Sequence, residues 1–413
     1  MTASQNRDVV RRLAGEVAAL AQHPVQQERI RLWTALNDLK PERPMLWITE
    51  LPWGEFEDSV DELRAVCTDE ALRNVERNLR RKLFTARRLP CDEVVENCWR
   101  VGMSIEGADY GVTTSEQQIQ QGASSIQSHH YEPVLRDFAD IEKIRMPEVR
   151  HHAAETARRV DFFEGLFGDL LPIVVEGTRQ HFFTAWDDLV RWTGVTEALV
   201  DLSERPDYIH ALMRRMTDSF LSRMTQLEEQ GLLSRSNELV RVGSGAAGYT
   251  SELPQSDAPA GGRLRLADQW GGATPQIFSD VSPAMHEEFA LRYENEVMSR
   301  CGLNYYGCCE PVHNKMALLA TVPRLRKISI SPWCDVVKAA ENAGRTYVFS
   351  HKPSPAILAG DRFDTASAEK DLRNRLAQSD GMPCEFIIKD ISTVRGDIDR
   401  VIAWCRMAHA VVR

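Results

Sequence analysis

Several features that would assign a function quickly are missing. Nowhere in the 413 residues is there an uninterrupted apolar run near the ~20 residues that a membrane helix needs. The opening MTASQNRDVVRRLAGEVAALAQ has no apolar signal core and reads as an amphipathic helix. No block of lysine and arginine stands out, and 50 basic residues against 60 acidic ones leave a formal charge of −10. That excess argues against a nucleic acid or an anionic membrane, either of which would want a basic face. Internal repeats are absent. The nine cysteines (67, 91, 98, 301, 308, 309, 334, 384 and 405) are odd in number and irregularly spaced. They do not form a disulfide framework, so the expected setting is reducing and cytoplasmic.

What is present is a long alternation. Short β-rich runs occur at LPIVVEG (171–177), ELVRVGS (238–244), RLRLAD (263–268), LNYYGCC (303–309), LRKISIS (325–331), RTYVFSH (345–351) and CEFIIKD (384–390), with PMLWITE (44–50) near the start. Helical patterns separate them. The clearest is RPDYIHALMRRMTDSFLSRMTQLEEQG (205–231), apolar at i, i+3 and i+4 and ending in Gly231. Eight strands alternating with helices predict an α/β fold, a (β/α)8 TIM barrel, with a doubly wound sheet as the alternative. On this reading the whole chain, 1–413, is one barrel domain. Residues 1–43 are N-terminal helices, and 51–165 are a cap inserted after the first strand. The cap is expected to carry a hairpin, WRVGMSIEGADYGVTT, turning at Gly107-Ala108-Asp109.

In such a barrel the chemistry sits where strands end. The stretch 303-LNYYGCCEPVHNK-315 therefore places Cys308, Cys309 and Glu310 on the active face. Strand alternation would send Cys308 and Glu310 to one side and Cys309 to the other. Thiolate, carboxylate and imidazole are zinc ligands, and cysteine is equally a residue that simply fills space. His351 ends another strand and is a candidate ligand or acid–base group. His181 follows LPIVVEG; Glu50 ends PMLWITE; Gln269 follows RLRLAD; and Lys389-Asp390 ends the last strand. All of these are expected on the same face. Trp47 is counted with the substrate-facing residues, although tryptophans 47, 53, 186 and 192 also fit plain packing. Cys384 begins its strand and belongs to the opposite end. The pairs His129-His130 and His151-His152 read as surface. The segment 243-GSGAAG-248 matches G-x-G-x-x-G after a strand, but Pro254 and Pro259 follow and no helix opens cleanly. A close backbone approach or an ordinary loop fits it better than a dinucleotide. The polar stretch 251-SELPQSDAPAGG-262 suits either a mobile lid or a solvated connection.

The order of 183-FTAWDDLVRWTGVTEALVDLSERPDYIHAL-212, 278-FSDVSPAMHEEFALRYENEV-297, GCCEP, 323-PRLRKISISPWCDV-336 and 385-EFIIKDISTV-394 resembles the uroporphyrinogen decarboxylase superfamily, from PMLWITE to the C-terminus. One branch comprises the decarboxylases and another the corrinoid- and zinc-dependent methyltransferases. The resemblance implies a (β/α)8 barrel with its pocket at the strand C-termini. The decarboxylases grip tetrapyrrole carboxylates with arginines in an R-Q-A-G-R-type segment, and here that place reads PMLWITELPWGEF, with no arginine. The methyltransferases carry H-x-C-G where this chain has G-C-C-E. Cys309 falls on the motif cysteine, Gly307 on its histidine, and Lys389-Asp390 stands where a later cysteine would end the last strand.

The expectation is a methyl-transferring enzyme with zinc on Cys309 and with Cys308, Glu310 and His351 as co-ligands. The methyl group would pass between a small substrate and a corrinoid brought by a partner protein, since the chain has no D-x-H-x-x-G cobalamin anchor. Two alternatives stay open. One is a metal-free decarboxylase or lyase holding a small carboxylate or tetrapyrrole-like substrate with Lys352, Arg179 or His181. The other is a tetrapyrrole-binding scaffold without turnover. The oligomeric state and the substrate's identity are not readable.

Overall fold

In the computed structural model, residues 1–119, 128–258 and 262–413 are described. Pro259 and the side chains of His129 and His130 lie outside the described set. The chain makes two compact units. One comprises Met1–Met103, Ala153–Glu176 and Ser350–Arg413, and the other Ser104–His152 and Gly177–Phe349. The span read as a cap is thereby divided, with residues 104–152 in the second unit and the rest in the first.

The fold is mixed α/β, and seven strands belong to its parallel sheet: β1 (Met45–Ile48), β2 (Gln180–Phe183), β3 (Trp270–Ala273), β4 (Leu303–Tyr306), β5 (Leu325–Ile330), β6 (Val348–His351) and β7 (Cys384–Ile388). In the second unit the order is β2-β3-β4-β5. Phe183 pairs beside Ala273, Ala273 beside Tyr306, and Tyr306 beside Ile328, so β2, β3 and β4 leave the sheet at one level and β5 runs two residues further. In the first unit β1 pairs parallel to β7, Met45 beside Glu385 through Ile48 beside Ile388, and β6 borders β7.

An eighth strand and a closed ring are not found among the described residues. Ile173–Glu176 does form a strand, but it pairs with Trp99–Gly102 in a two-stranded sheet of the first unit, and the strand of the main sheet is the next segment, QHFF. The expected hairpin is undone by the same pairing. Ile105–Glu106 turns instead to Arg150–His151. Residues 263–268 end in a 3-10 turn, Leu266–Asp268, and the strand follows as WGGA. Residues 238–244 make only an isolated bridge, Arg241 to Ala247.

The continuation of that last segment, residues 244–250, is buried. Ala246 and Ala247 are fully enclosed. Gly248 O accepts from Trp270 Nε1 at 2.9 Å, and Ala247 O accepts from the buried Lys327 Nζ at 3.3 Å. The glycine-rich stretch is therefore spent on satisfying a core tryptophan and a core lysine, and its backbone is not presented as a phosphate cradle. Pairing of its polar groups with core side chains is what allows a loop to lie inside the unit at all.

The helices follow their sequence signals. Ala3–Ala21 starts with a capping box between Thr2 and Gln5. Its face of Val10, Leu13, Ala14 and Val17 packs with Leu72, Val75, Leu79 and Leu83 of the helix Glu70–Arg88, within the first unit. Pro206–Glu229 begins with its proline in the first turn and ends at Gly231, whose φ is 69°.

The two glycines of WGGA weaken the strand by propensity, yet packing requires them. A Cβ at Gly272 would stand 2.4 Å from Tyr305 O and 2.9 Å from the Phe182 ring. Gly272→Ala should therefore lower the unfolding free energy by about 1–3 kcal/mol, read by urea denaturation.

Candidate active site

The exits of β2 to β5 set the chemistry of the second unit. After β2, Thr184 opens the helix Ala185–Thr193, which carries Asp187. Thr274 and Gln276 follow β3. After β4, Gly307 takes a φ of 90° and turns the chain so that Cys308, Cys309 and Glu310 follow as a bend, not as strand. The alternation expected for these residues therefore does not apply. Glu310 is buried, Cys308 half-buried and Cys309 exposed. The turn is anchored on both sides. Ser244 Oγ donates to Gly307 O at 3.1 Å, and Ser329 Oγ to Cys308 O at 2.6 Å. The two thiol sulfurs stand 3.5 Å apart.

Beneath this turn lies a buried cluster. The Glu310 carboxyl accepts from Thr274 Oγ1 at 2.9 and 3.1 Å and from the Cys308 N–H at 3.0 Å. Burial pushes its pKa up to about 7 against those hydrogen bonds. Glu294 is raised further, to about 8, chiefly by burial and additionally by the charge of Glu310. Asp187 is raised to about 6, again by burial first, while Gln276 Nε2, 2.8 Å from its Oδ2, pulls the other way. The Asp187 Oδ1 is enclosed and has no hydrogen-bond partner. Lys315 completes the cluster. Its Nζ donates to Phe278 O at 2.6 Å, and burial lowers it to about 8 in spite of Glu310 and Glu294.

One arm of the cluster depends on a helical irregularity. Tyr306, the last residue of β4, has its hydroxyl 2.6 Å from both Glu294 Oε2 and His286 Nε2. His286 and Glu294 are eight residues apart, which in a regular α-helix leaves them about 80° apart around the axis. A π-helical segment, Glu287–Leu291, lies between them. One inserted residue makes eight positions turn like seven, about 20° from a common face, so both side chains meet Tyr306. His286 is held near pKa 3 by burial and then by Lys315, and it is neutral. Glu294, Tyr306 and His286 thus make an unbroken chain of proton-carrying groups inside the unit.

The residues singled out by sequence separate into three groups. Cys308, Cys309 and Glu310 come together as described. Glu50 and Asp390 meet in the first unit. Both have left-handed backbones, φ 54° and 56°, and the Asp390 N–H donates to Glu50 Oε2 at 3.0 Å. Lys389 Nζ lies 2.6 Å from Asp390 Oδ2 and 3.6 Å from Glu50 Oε2. The remainder serve packing. His181 sits within β2, its Nε2 3.0 Å from Gln269 Oε1, and burial takes its pKa down to about 3. It does not follow a strand end, because the strand was expected one segment too early. Gln269 precedes β3 and donates to Thr178 O and Ser234 O. Arg179 is spent on Arg235 O, Leu239 O and Glu238. Trp47 is buried against Trp33. Lys352 turns back on Ser350 O and Oγ. His351 is fully buried, pairs with Ser379 Oγ at 2.8 Å and stacks on Phe386, and burial keeps it neutral.

Two of the expected zinc ligands are engaged otherwise. Among the described residues no three His, Cys, Asp or Glu side chains are grouped to hold a metal. Glu310 is committed to Thr274 and the Cys308 N–H, and His351 to Ser379. Cys384 donates to Met382 O at the start of β7, in keeping with its expected place at the other end. The residues that sequence reading missed are Asp187, Thr274, His286, Glu294, Tyr306 and Lys315. Five of them fall inside or beside stretches already quoted, but nothing in linear order joins them.

Neither a family model nor a curated protein matches the chain. Among solved structures, a methyltransferase from Methanosarcina mazei is similar at 11% sequence identity and a TM-score of 0.50, over 92% of this chain and 98% of that one. At that identity what is shared is the fold.

Proposed function

We propose that the chain is a methyltransferase-type enzyme whose reaction takes place where β2 to β5 end. The carrying observation is the group of three carboxyls, Asp187, Glu294 and Glu310, with pKa values raised to about 6, 8 and 7, and Lys315 beside the last two. Removing a methyl group from a heteroatom leaves an electron pair there that must take up a proton, and an acid with a pKa near the working pH supplies it best. Asp187 is the least enclosed of the three and has a carboxyl oxygen without a partner, so it is the group assigned to touch the substrate. Glu310 and Glu294 hold protons behind it, and burial keeps its own pKa high. The small substrate would carry its methyl on oxygen, nitrogen or sulfur. The X–CH3 bond breaks, the methyl passes to a nucleophilic acceptor, and X takes the proton from Asp187.

The acceptor in this reading is a corrinoid carried by a separate protein, which supplies the strongly nucleophilic centre when bound. The order of segments resembling corrinoid-dependent methyltransferases supports it, together with the fold shared with one methyltransferase. Trp333, just after β5 and 74% exposed, is the large aromatic that such a partner would cover. Zinc is not part of the proposal, because Glu310 and His351, two of its expected ligands, are engaged otherwise.

The direct test is methyl transfer from methanol, methylamine, methanethiol and a methoxyarene to free cob(I)alamin, followed by the absorbance change of the corrinoid. Turnover above the protein-free rate with any of them supports the assignment. None with the whole set, nor with corrinoid-protein fractions added, would remove it.

A further inference from the structure

Cys308 and Cys309 are adjacent in sequence, one half-buried and one exposed, with sulfurs 3.5 Å apart. That spacing is selective. A disulfide needs about 2.05 Å, so the pair would have to close by about 1.5 Å to oxidise. A linear two-coordinate soft metal, with bonds of about 2.3 Å to each sulfur, needs about 4.6 Å. Two bonds of about 2.3 Å meeting at about 100° span about 3.5 Å. The fitting centre is thus soft, bent and content with two protein ligands. The last condition matters because no third His, Cys, Asp or Glu joins a metal-holding group among the described residues. Such a centre must bring its own third substituent. Trivalent arsenic bonded to one organic group, or to one hydroxyl, has this shape and this preference for sulfur.

We infer that Cys308–Cys309 is a two-sulfur binding site for a pyramidal, thiophilic trivalent centre of the organoarsenic class. The binding step is a condensation without redox change. Two As–OH bonds break, two As–S bonds form, and each thiol proton leaves with a hydroxide as water. Arsenic stays trivalent. The turn is preformed for this, since Gly307 and the Cys308 carbonyl are already held by Ser244 and Ser329, so little order is lost on capture. The inference is independent of methyl transfer, because it concerns capture alone.

The probe is phenylarsine oxide, added to reduced full-length protein in the presence of excess 2-mercaptoethanol, with intact-mass analysis of the complex. Wild type should retain one arsenical per chain against the monothiol and release it to a dithiol such as 2,3-dimercaptopropanol. Cys309→Ser, at an exposed position, and Cys308→Ser should each lose about 10²-fold or more in retention, because the second bond forms at high effective concentration. Cys334→Ser, a buried cysteine after β5, should retain the arsenical like wild type. Circular dichroism melts of the variants verify folding. Wild type that fails to retain the arsenical against the monothiol would overturn the inference. So would Cys308→Ser and Cys309→Ser proteins that hold it as wild type does.

Discussion

Asp187→Asn is expected to lower methyl transfer about 10²–10⁴-fold, the usual contribution of a positioned acid. Asparagine keeps the shape and still accepts from Gln276, so the unfolding free energy should change by less than about 2 kcal/mol. A rate loss with an intact fold separates proton supply from packing. The neighbours give a second readout. The negative charge of Glu310 helps to raise the pKa of Asp187, so Glu310→Gln should move the alkaline limb of the pH–rate profile to lower pH, whereas a purely structural Glu310 would lower the rate at every pH alike. The measurement is kcat/KM against pH for wild type and both variants.

The second large effect concerns stability. Glu294 and Glu310 keep their protons to about pH 8 and 7 in the folded protein, against 4.5 when exposed. Groups raised in this way contribute fully below 4.5, and their contribution is lost as pH rises through the folded values. His181 and His286 are lowered from 6.5 to about 3. Their contribution is present above 6.5 and lost as pH falls toward 3. The two trends oppose each other between 4.5 and 6.5, and stability should peak there and decline on both sides. For Glu294 the loss by pH 8 is on the order of 4 kcal/mol. Glu294→Gln cannot ionise, and its unfolding free energy should fall much less between pH 5 and 8. At pH 5 it should be about 1–3 kcal/mol less stable than wild type, since an amide fits the Tyr306 hydroxyl less well. Urea denaturation at each pH gives both numbers. Parallel curves for the two proteins would show that Glu294 does not carry the alkaline decline.

Why some of this was legible and some was not follows from particular residues. β1, β4, β5, β6 and β7 lie in longer runs rich in β-branched, aromatic and other apolar residues, and they read as strands because that composition makes them so. QHFF and WGGA do not read that way. The first has two polar residues in four, and the second has two glycines, one where Cys301 and Asn304 come close and one where Tyr305 and Phe182 do. The neighbouring runs, LPIVVEG and RLRLAD, are better strand formers by composition and were chosen in their place. ELVRVGS looks like a strand by its apolar residues, yet Leu239 and Val240 are only half-buried and the segment runs into a loop held by Trp270 and Lys327. Tertiary packing overrode propensity in all three places.

At the site the contiguous part, Cys308 to Glu310, could be found because three reactive side chains at a strand end are visible in one line of sequence. The relay of His286, Tyr306 and Glu294 could not. Its alignment depends on the π-helical insertion at Glu287–Leu291, and an eight-residue spacing suggests different faces until that insertion is known. A histidine near a strand end invites a catalytic reading, and here full burial beside Gln269 and Ser379 holds the rings of His181 and His351 neutral.

The central claim is that buried carboxyls hold protons near neutral pH at the ends of β2 to β5. It is tested most directly by a 13C NMR titration of protein labelled at the glutamate side-chain carboxyl carbon, comparing wild type with Glu294→Gln and Glu310→Gln. Three resonances should titrate between about pH 6 and 9, those of Glu93, Glu294 and Glu310, and the latter two should be missing one in each variant. If no resonance in that range is lost in either variant, so that Glu294 and Glu310 titrate near the ordinary carboxylate value, the proton store does not exist and the assignment of this site falls with it.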